Sequence, residues 1–380
     1  MAGNCNVLIT GATGYIGRRL KAKLITRDDL AIRLLVRNRN KVSLAARDQV
    51  DIVEGDTFHQ EALEKALDGI HTAYYLIHSM GAEGDFKELD RQSAENFRDA
   101  AIRAGVKRII YLGGLGVRES ASKHLLSRIE TGEILGARPD AIQTIWFRAG
   151  VIIGSGSASF DIVCNLVQKL PCMVTPQWVT TRTQPISVED VISYLVAAID
   201  LPHSENLMVD IGAEVMTFRQ MMLEAAKVMG LRRWMIPVPF LSPRLSAVWL
   251  LLFTPVPFKV AAALVEGLKS ETVAQCFRMR TNIGFNLCPI TLVVTYFLAR
   301  CTNRQETAQL FDLSKRILKF HDKIFSFTFH LLTFGNIKNN GKEDTLRPCT
   351  HQLQMNFNRI LAAIGTAMNC FINEEIPLVR

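Results

Sequence analysis

Along roughly the first 150 residues, short apolar runs rich in β-branched side chains alternate with stretches whose apolar residues recur every three or four positions. The runs predict buried strands over 6–10, 31–36, 50–53, 72–77, 108–112 and 143–148, and the periodic stretches predict helices over 15–25, 60–67, 85–104 and 123–135. In the first helix, Ile16, Leu20 and Leu24 stand four apart and form one apolar stripe. Strands and helices alternate through short connections, so the pattern predicts a doubly wound α/β fold with a parallel sheet. From about Gly154 the texture turns to mixed loops and prolines with helices over 188–199 and 218–229. This predicts a smaller substrate-side region built onto the sheet. The expected organisation is an α/β core over 1–153, the substrate-side region over 154–285, and a C-terminal extension over 286–380 with little clean periodicity and no derivable role.

One segment gives this architecture a ligand. GATGYIG follows the first strand and opens the first helix, placing Gly11, Gly14 and Gly17 where a dinucleotide fold needs them. Gly11 allows the tight turn, Gly14 lets the backbone approach a pyrophosphate, and Gly17 lets helix pack closely on strand. The helix N-terminus offers N–H groups and a positive dipole end to the anion. Thr13, Tyr15 and Ile16 lie within the same turn and belong to the expected cofactor-binding set. The second strand ends in Val36-Arg37-Asn38-Arg39, without the carboxylate that usually accepts from a free ribose 2′-hydroxyl. A guanidinium there pairs with a 2′-phosphate, so Arg37 predicts NADP(H), with NAD as the other possibility. As a plain solvated loop residue it would predict nothing. Asp56, in VEGD after the third strand, is placed either to meet the adenine amino group or to form its own turn. Leu76 and His78 end the fourth strand, at the carboxyl edge where open α/β sheets bind ligands, with a structural hydrogen-bonding role the other reading for His78.

Composition narrows the partners. The 380 residues carry a formal charge of +8, but the basic side chains are scattered and never run five or six together, which suits a phosphorylated cofactor rather than nucleic acid. Eight cysteines with no C-x-x-C pair and no zinc-type spacing read as reduced thiols of a cytoplasmic protein with no metal site. MAGNCNVLIT has neither the basic and apolar regions of a signal peptide nor a glycine after the first methionine. Residues 245–258 are uncharged but interrupted by Pro255 and Pro257. Residues 281–299 are uncharged but carry Asn282, Gly284, Asn286 and Pro289. Both read better as packed elements than as membrane spans. No G-x-S-x-G, H-E-x-x-H or P-loop motif occurs, so hydrolase, zinc-protease and P-loop chemistry have no starting point.

TGATGYIG, VEGD, AYYLIHSMG, GVKRIIYLGGLG, RAGVIIGSGSASF and QPISVEDV together resemble the atypical short-chain dehydrogenase/reductases with the extended-type glycine motif, neighbours of the NmrA-like proteins. The resemblance covers roughly residues 5–275 and implies a Rossmann fold. Active members use a tyrosine as proton donor, a lysine four residues later, and a serine or threonine after the fifth strand. This chain has Gly113-Gly114-Leu115-Gly116 after that strand, and His124 and Arg128 at the four-residue spacing on the helix. Histidine can donate a proton near neutral pH, and Arg128 can hold ribose hydroxyls and stabilise negative charge. The pair therefore supports an unusual carbonyl reduction, or else merely caps and solvates a helix face. Ser120 and Ser122 read as capping residues. The resemblance also puts the 154–160 loop near nicotinamide and substrate, and gives Gln184, Pro185 and Asp190 to the lead into the substrate-side helix. Phe160, Trp178, Trp234 and Trp249 suit either an apolar substrate or the core. Two functions follow: an NADP(H)-dependent oxidoreductase acting on a small apolar carbonyl or alkene, or a dinucleotide sensor or assembly protein without the catalytic pair.

Overall fold

The computed structural model describes residues 5–78, 86–202, 205–238, 262, 265–267 and 270–274. The chain runs β1 (Cys5–Thr10), α1 (Tyr15–Leu24), β2 (Leu30–Val36), α2 (Leu44–Arg47), β3 (Asp51–Glu54), α3 (Gln60–Leu67), β4 (Thr72–Tyr75), α4 (Phe86–Arg103), β5 (Arg108–Gly114), α5 (Lys123–Leu135) and β6 (Gln143–Ala149). It continues through β7 (Ile152–Ile153), α6 (Ala158–Lys169), β8 (Cys172–Pro176), β9 (Arg182–Thr183), β10 (Ile186–Ser187), α7 (Val188–Ala197), β11 (Leu207–Ile211), β12 (Met216–Thr217), α8 (Phe218–Val228) and β13 (Trp234–Val238). Seven strands form one sheet in the order β3-β2-β1-β4-β5-β6-β11, with every pairing parallel.

Period-two alternation explains how this sheet is buried on both faces. Val7, Ile9, Leu34, Tyr74, Ile110 and Phe147 point to one side, where they meet Leu20 and Leu24 of α1, Val191 and Leu195 of α7, and residues of α6 and α8. Leu8, Leu35, Ala73, Tyr75, Ile109 and Tyr111 point to the other, against Leu63 and Leu67 of α3 and Phe97 and Ala101 of α4. Each fully buried large side chain contributes about 1.5–3 kcal/mol of transfer free energy. The strand order reverses between β1 and β4, which opens a crevice at their carboxyl ends. Thr10 stitches that junction: its buried hydroxyl donates to Tyr74 O at 2.9 Å and accepts from Leu76 N at 3.2 Å.

The expected doubly wound fold is present, with two additions. The seventh strand, β11, comes from beyond residue 153 and is tied to β6 by Arg148 Nε on the buried Asp210 carboxylate at 2.6 Å. The stretch 154–160, expected as a loop, turns into α6 at Ala158, because Phe160, Val163, Cys164 and Val167 recur at helical spacing and bury together. The rest of the described chain beyond β6 includes three two-stranded sheets, β7 with β10, β9 with β12, and β8 with β13, packed with α6 and α8. Among the described residues, no helix is long and apolar enough to cross a membrane. Both membrane-candidate stretches, Trp249 and the 286–380 extension lie outside the described residues.

Candidate active site

The glycine turn is built by close backbone contact. Gly11 has φ of 65°, and a Cβ there would lie 2.4 Å from the carbonyl oxygen of Leu76. A Cβ at Gly17 would lie 2.2 Å from Gly11 O, so both positions exclude any side chain unless backbone moves. Gly14 N donates to Gly11 O at 2.9 Å and caps α1 with no side chain of its own, leaving the first helical N–H groups free for an anion. No acidic residue stands in the first turn of α1. The site therefore fits a dinucleotide pyrophosphate: a cradle that a Cβ would fill, opening onto an uncapped helix end. Thr13 and Ile16 are half-buried beside it. Tyr15 turns toward the 154–156 segment, where a Cβ on Gly154 would come within 2.5 Å of its hydroxyl. Arg19 stacks its guanidinium 4.1 Å over the Tyr15 ring and donates to Ser155 O at 2.7 Å, fixing that segment over the turn. Burial pushes the Tyr15 phenol up to about 12.

At the far end of the crevice, exposed Arg37 borders an open depression with Glu54, Gly55, Asp56, Phe58 and His59. Asp56 Oδ1 accepts from Phe58 N at 2.9 Å and from His59 Nδ1 at 2.7 Å, so the aspartate shapes its own turn. Burial works against its carboxylate, but these hydrogen bonds hold it below the usual range.

A second constellation sits at the carboxyl ends of β4 and β5. His78 Nδ1 lies 3.1 Å from Asp90 Oδ2 on α4, and the same oxygen accepts from Ser127 Oγ of α5 at 2.9 Å. His124, at the first turn of α5, stacks on Phe86 with ring centres 4.4 Å apart and stands edge to face with His78 at 6.5 Å. One turn on, Arg128 donates from Nη2 to Leu112 O at 3.1 Å. Tyr15 Oη, His78 Nε2, His124 Nδ1 and Arg128 Nε are all buried without a hydrogen-bond partner. Burial pulls both imidazoles below the ordinary histidine value. The Asp90 hydrogen bond opposes this at His78, and Glu266 and Asp90 oppose it at His124.

The glycines after β5 have a packing reason. A Cβ on Gly113 would meet Trp146 Nε1 at 2.5 Å, and one on Gly114 would meet Leu125 Cδ1 at 2.8 Å. A serine-containing turn would need the Trp146 ring or the Leu125 side chain to shift. Ser122 caps α5 by accepting from Leu125 N, and Ser120 lends only its carbonyl to Ser270. Gln184 is a buried joint that donates to Ala213 O at 3.0 Å and accepts from Ala274 N at 2.6 Å, while Ser187 caps α7 by accepting from Asp190 N. Phe160 is core and Trp234 is 75% exposed; the Trp178 side chain is outside the described set.

Sequence reasoning missed Asp90, Ser127, Phe86 and Thr10. The signal for Asp90 lay in α4, where positions 90, 94, 97 and 101 form the buried stripe and one of them is a carboxylate. An ionisable residue on an apolar helical face needs a partner.

Comparisons with known proteins agree with the dinucleotide-binding fold. A family model described as NAD(P)H-binding matches residues 11–143. The ceramide reductase of Caulobacter vibrioides is 32% identical over 242 residues, covering 61% of this chain and 73% of that protein. The UDP-glucose 4-epimerase of Vibrio cholerae is 23% identical over 259 residues, covering 62% and 79%. Among solved structures, the Citrobacter sp. triphenylmethane reductase complexed with NADP(H) superposes with a TM-score of 0.64 at 20% identity, covering 77% of this chain and 99% of that one.

Proposed function

The chain belongs to the atypical short-chain dehydrogenase/reductases of the NAD(P)-binding Rossmann superfamily, and from that premise we propose that it is an NADP(H)-dependent reductase of a small apolar carbonyl or alkene. The observation that carries the reading is the corner formed by His124 and Arg128, one helical turn apart beside the β5 end, where related enzymes have tyrosine and lysine. Gly11, Thr13, Gly14, Tyr15, Ile16 and Gly17 would hold the pyrophosphate, Arg37 the 2′-phosphate, and Asp56 the adenine side, with Leu76 and His78 flanking the crevice. The bound dinucleotide supplies hydride. Arg128, permanently charged, steadies ribose hydroxyls and the negative charge growing on the substrate oxygen. His124 delivers the proton to that oxygen, and its stacking on Phe86 holds the ring in one orientation. The name of the ceramide reductase relative adds a lipid to the apolar substrates to be tried.

Loss of NADPH absorbance against a panel of apolar ketones and enones tests this. Turnover with NADPH preferred over NADH is the expected result. Tight NADPH binding without oxidation by any member would instead favour the binding-only reading, which draws on the paired glycines standing in place of the family serine.

A further inference from the structure

The corner at the ends of β4 and β5 holds more proton-carrying equipment than one donor needs. An ionised Asp90 can only accept, so the contact at 3.1 Å places the hydrogen on His78 Nδ1 and leaves Nε2 bare while the ring is neutral. Ser127 donates to the same carboxylate oxygen at 2.9 Å. Asp90 and Ser127 are buried, and the His78 side chain is only 17% exposed. Beside this unit stands His124, edge to face, with ring centres 6.5 Å apart and its far side covered by Phe86. His78 Nε2 and His124 Nδ1 are both buried and unpartnered. A buried nitrogen left unsatisfied is costly. Two stand on neighbouring rings, one of them backed by a carboxylate.

We propose that His78 and His124 form a proton relay in which Asp90 positions His78, His78 Nε2 hands its proton to His124 Nδ1, and His124 gives its own Nε2 proton to the substrate oxygen. This rests on the reductase reading above. As hydride from NADPH reaches the carbonyl carbon, the C=O π pair becomes the lone pair of an alkoxide. The His124 Nε2–H bond breaks and the oxygen becomes a hydroxyl. In the same step the His78 Nε2–H proton crosses to His124 Nδ1, so His124 passes from one neutral tautomer to the other, and His78 ends neutral with its Nδ1–H on Asp90. A single stored proton serves the pair, so the two rings never need to be charged together in a buried corner. The charged groups facing His78 are Asp90, Arg128 and His124; those facing His124 are Glu266, Asp90, Arg128 and His78. Asp90 and Glu266 favour the loaded pair, and Arg128 opposes it.

Long-range nitrogen–proton NMR on the full histidine-labelled chain reads the relay without turnover. His78 should give the Nδ1–H tautomer, and His124→Asn should move the His78 titration upward, because a like charge is removed. Asp90→Asn should lower the His78 midpoint by about one unit, with Asp90→Glu restoring it. In turnover, His78→Asn should lower kcat by about 10–100-fold, and added imidazole should recover part of the loss. An Nε2–H tautomer, independent titration of the two rings, or an undiminished kcat in His78→Asn overturns the relay. Absence of any turnover by the unaltered protein, with the coupled titration intact, overturns the reductase reading instead.

Discussion

The two ends of the crevice are made of different material. The glycine turn after β1 is backbone held against backbone, with Gly11 on Leu76 and Gly17 on Gly11, all within one segment and its neighbouring strand end. The corner after β4 and β5 is made of side chains, with His78, Asp90, His124 and Arg128 drawn from three elements. The first is a close-packed backbone cradle that fits an anion. In the second, chemistry can be rewritten without disturbing the sheet, provided the helices still close on the strand ends. The proposed exchange of a phenol and an ammonium for an imidazole and a guanidinium would leave the scaffold the same.

This contrast predicts opposite kinds of damage. Gly17→Val should be the most harmful to folding, since the new side chain meets a carbonyl oxygen and not a flexible tip. It should cost about 3 kcal/mol of stability, measured by denaturant midpoint, and take NADPH binding with it. A Gly17→Val protein of unchanged stability would mean the turn is not close-packed.

Arg37→Ala should be next, and should leave the fold untouched because Arg37 is exposed. The expected loss of NADPH affinity is about 1.5–3 kcal/mol, the worth of hydrogen bonds to a charged group, with NADH almost unaffected. Calorimetry with equal losses for both cofactors would remove Arg37 from the 2′-phosphate.

The smallest effect concerns stability against pH. Burial lowers the proton affinity of His78 and His124 in the folded protein, so below about pH 6.5 the unfolded chain binds protons that the native state resists. Their contribution is therefore full above that pH and is lost as pH falls. Thermal melts of the double variant His78→Gln, His124→Gln should show a shallower decline from about pH 6.5 downward than the unaltered chain. An identical slope would mean the corner is open to water.

How much of this was legible in the sequence follows the same division. The cradle announced itself because its requirement is local: three glycines at fixed spacing between a strand and a helix. The strands of the core were legible for the same reason, since alternating faces such as Leu34 and Leu35 are both apolar in a sheet covered on two sides. β11 was not, because five residues with Asp210 among them look like a loop until Arg148 is seen to pair with that carboxylate. Nor were Asp90 and Ser127, which lie 12 and 49 residues beyond His78 by number and meet only through helix packing. His124 and Arg128 were legible as a spacing, but the role of the imidazole depended on neighbours the spacing does not name.

The pH dependence of turnover in the unaltered protein and in His124→Ala tests the central claim most directly. The account predicts that kcat for carbonyl reduction falls as pH rises through a value below the ordinary 6.5 of histidine, because the pair delivers a proton only while it holds its stored one. His124→Ala should lose that limb and about two to four decades of turnover, while binding NADPH as before. An active His124→Ala protein with an unchanged pH profile would contradict it.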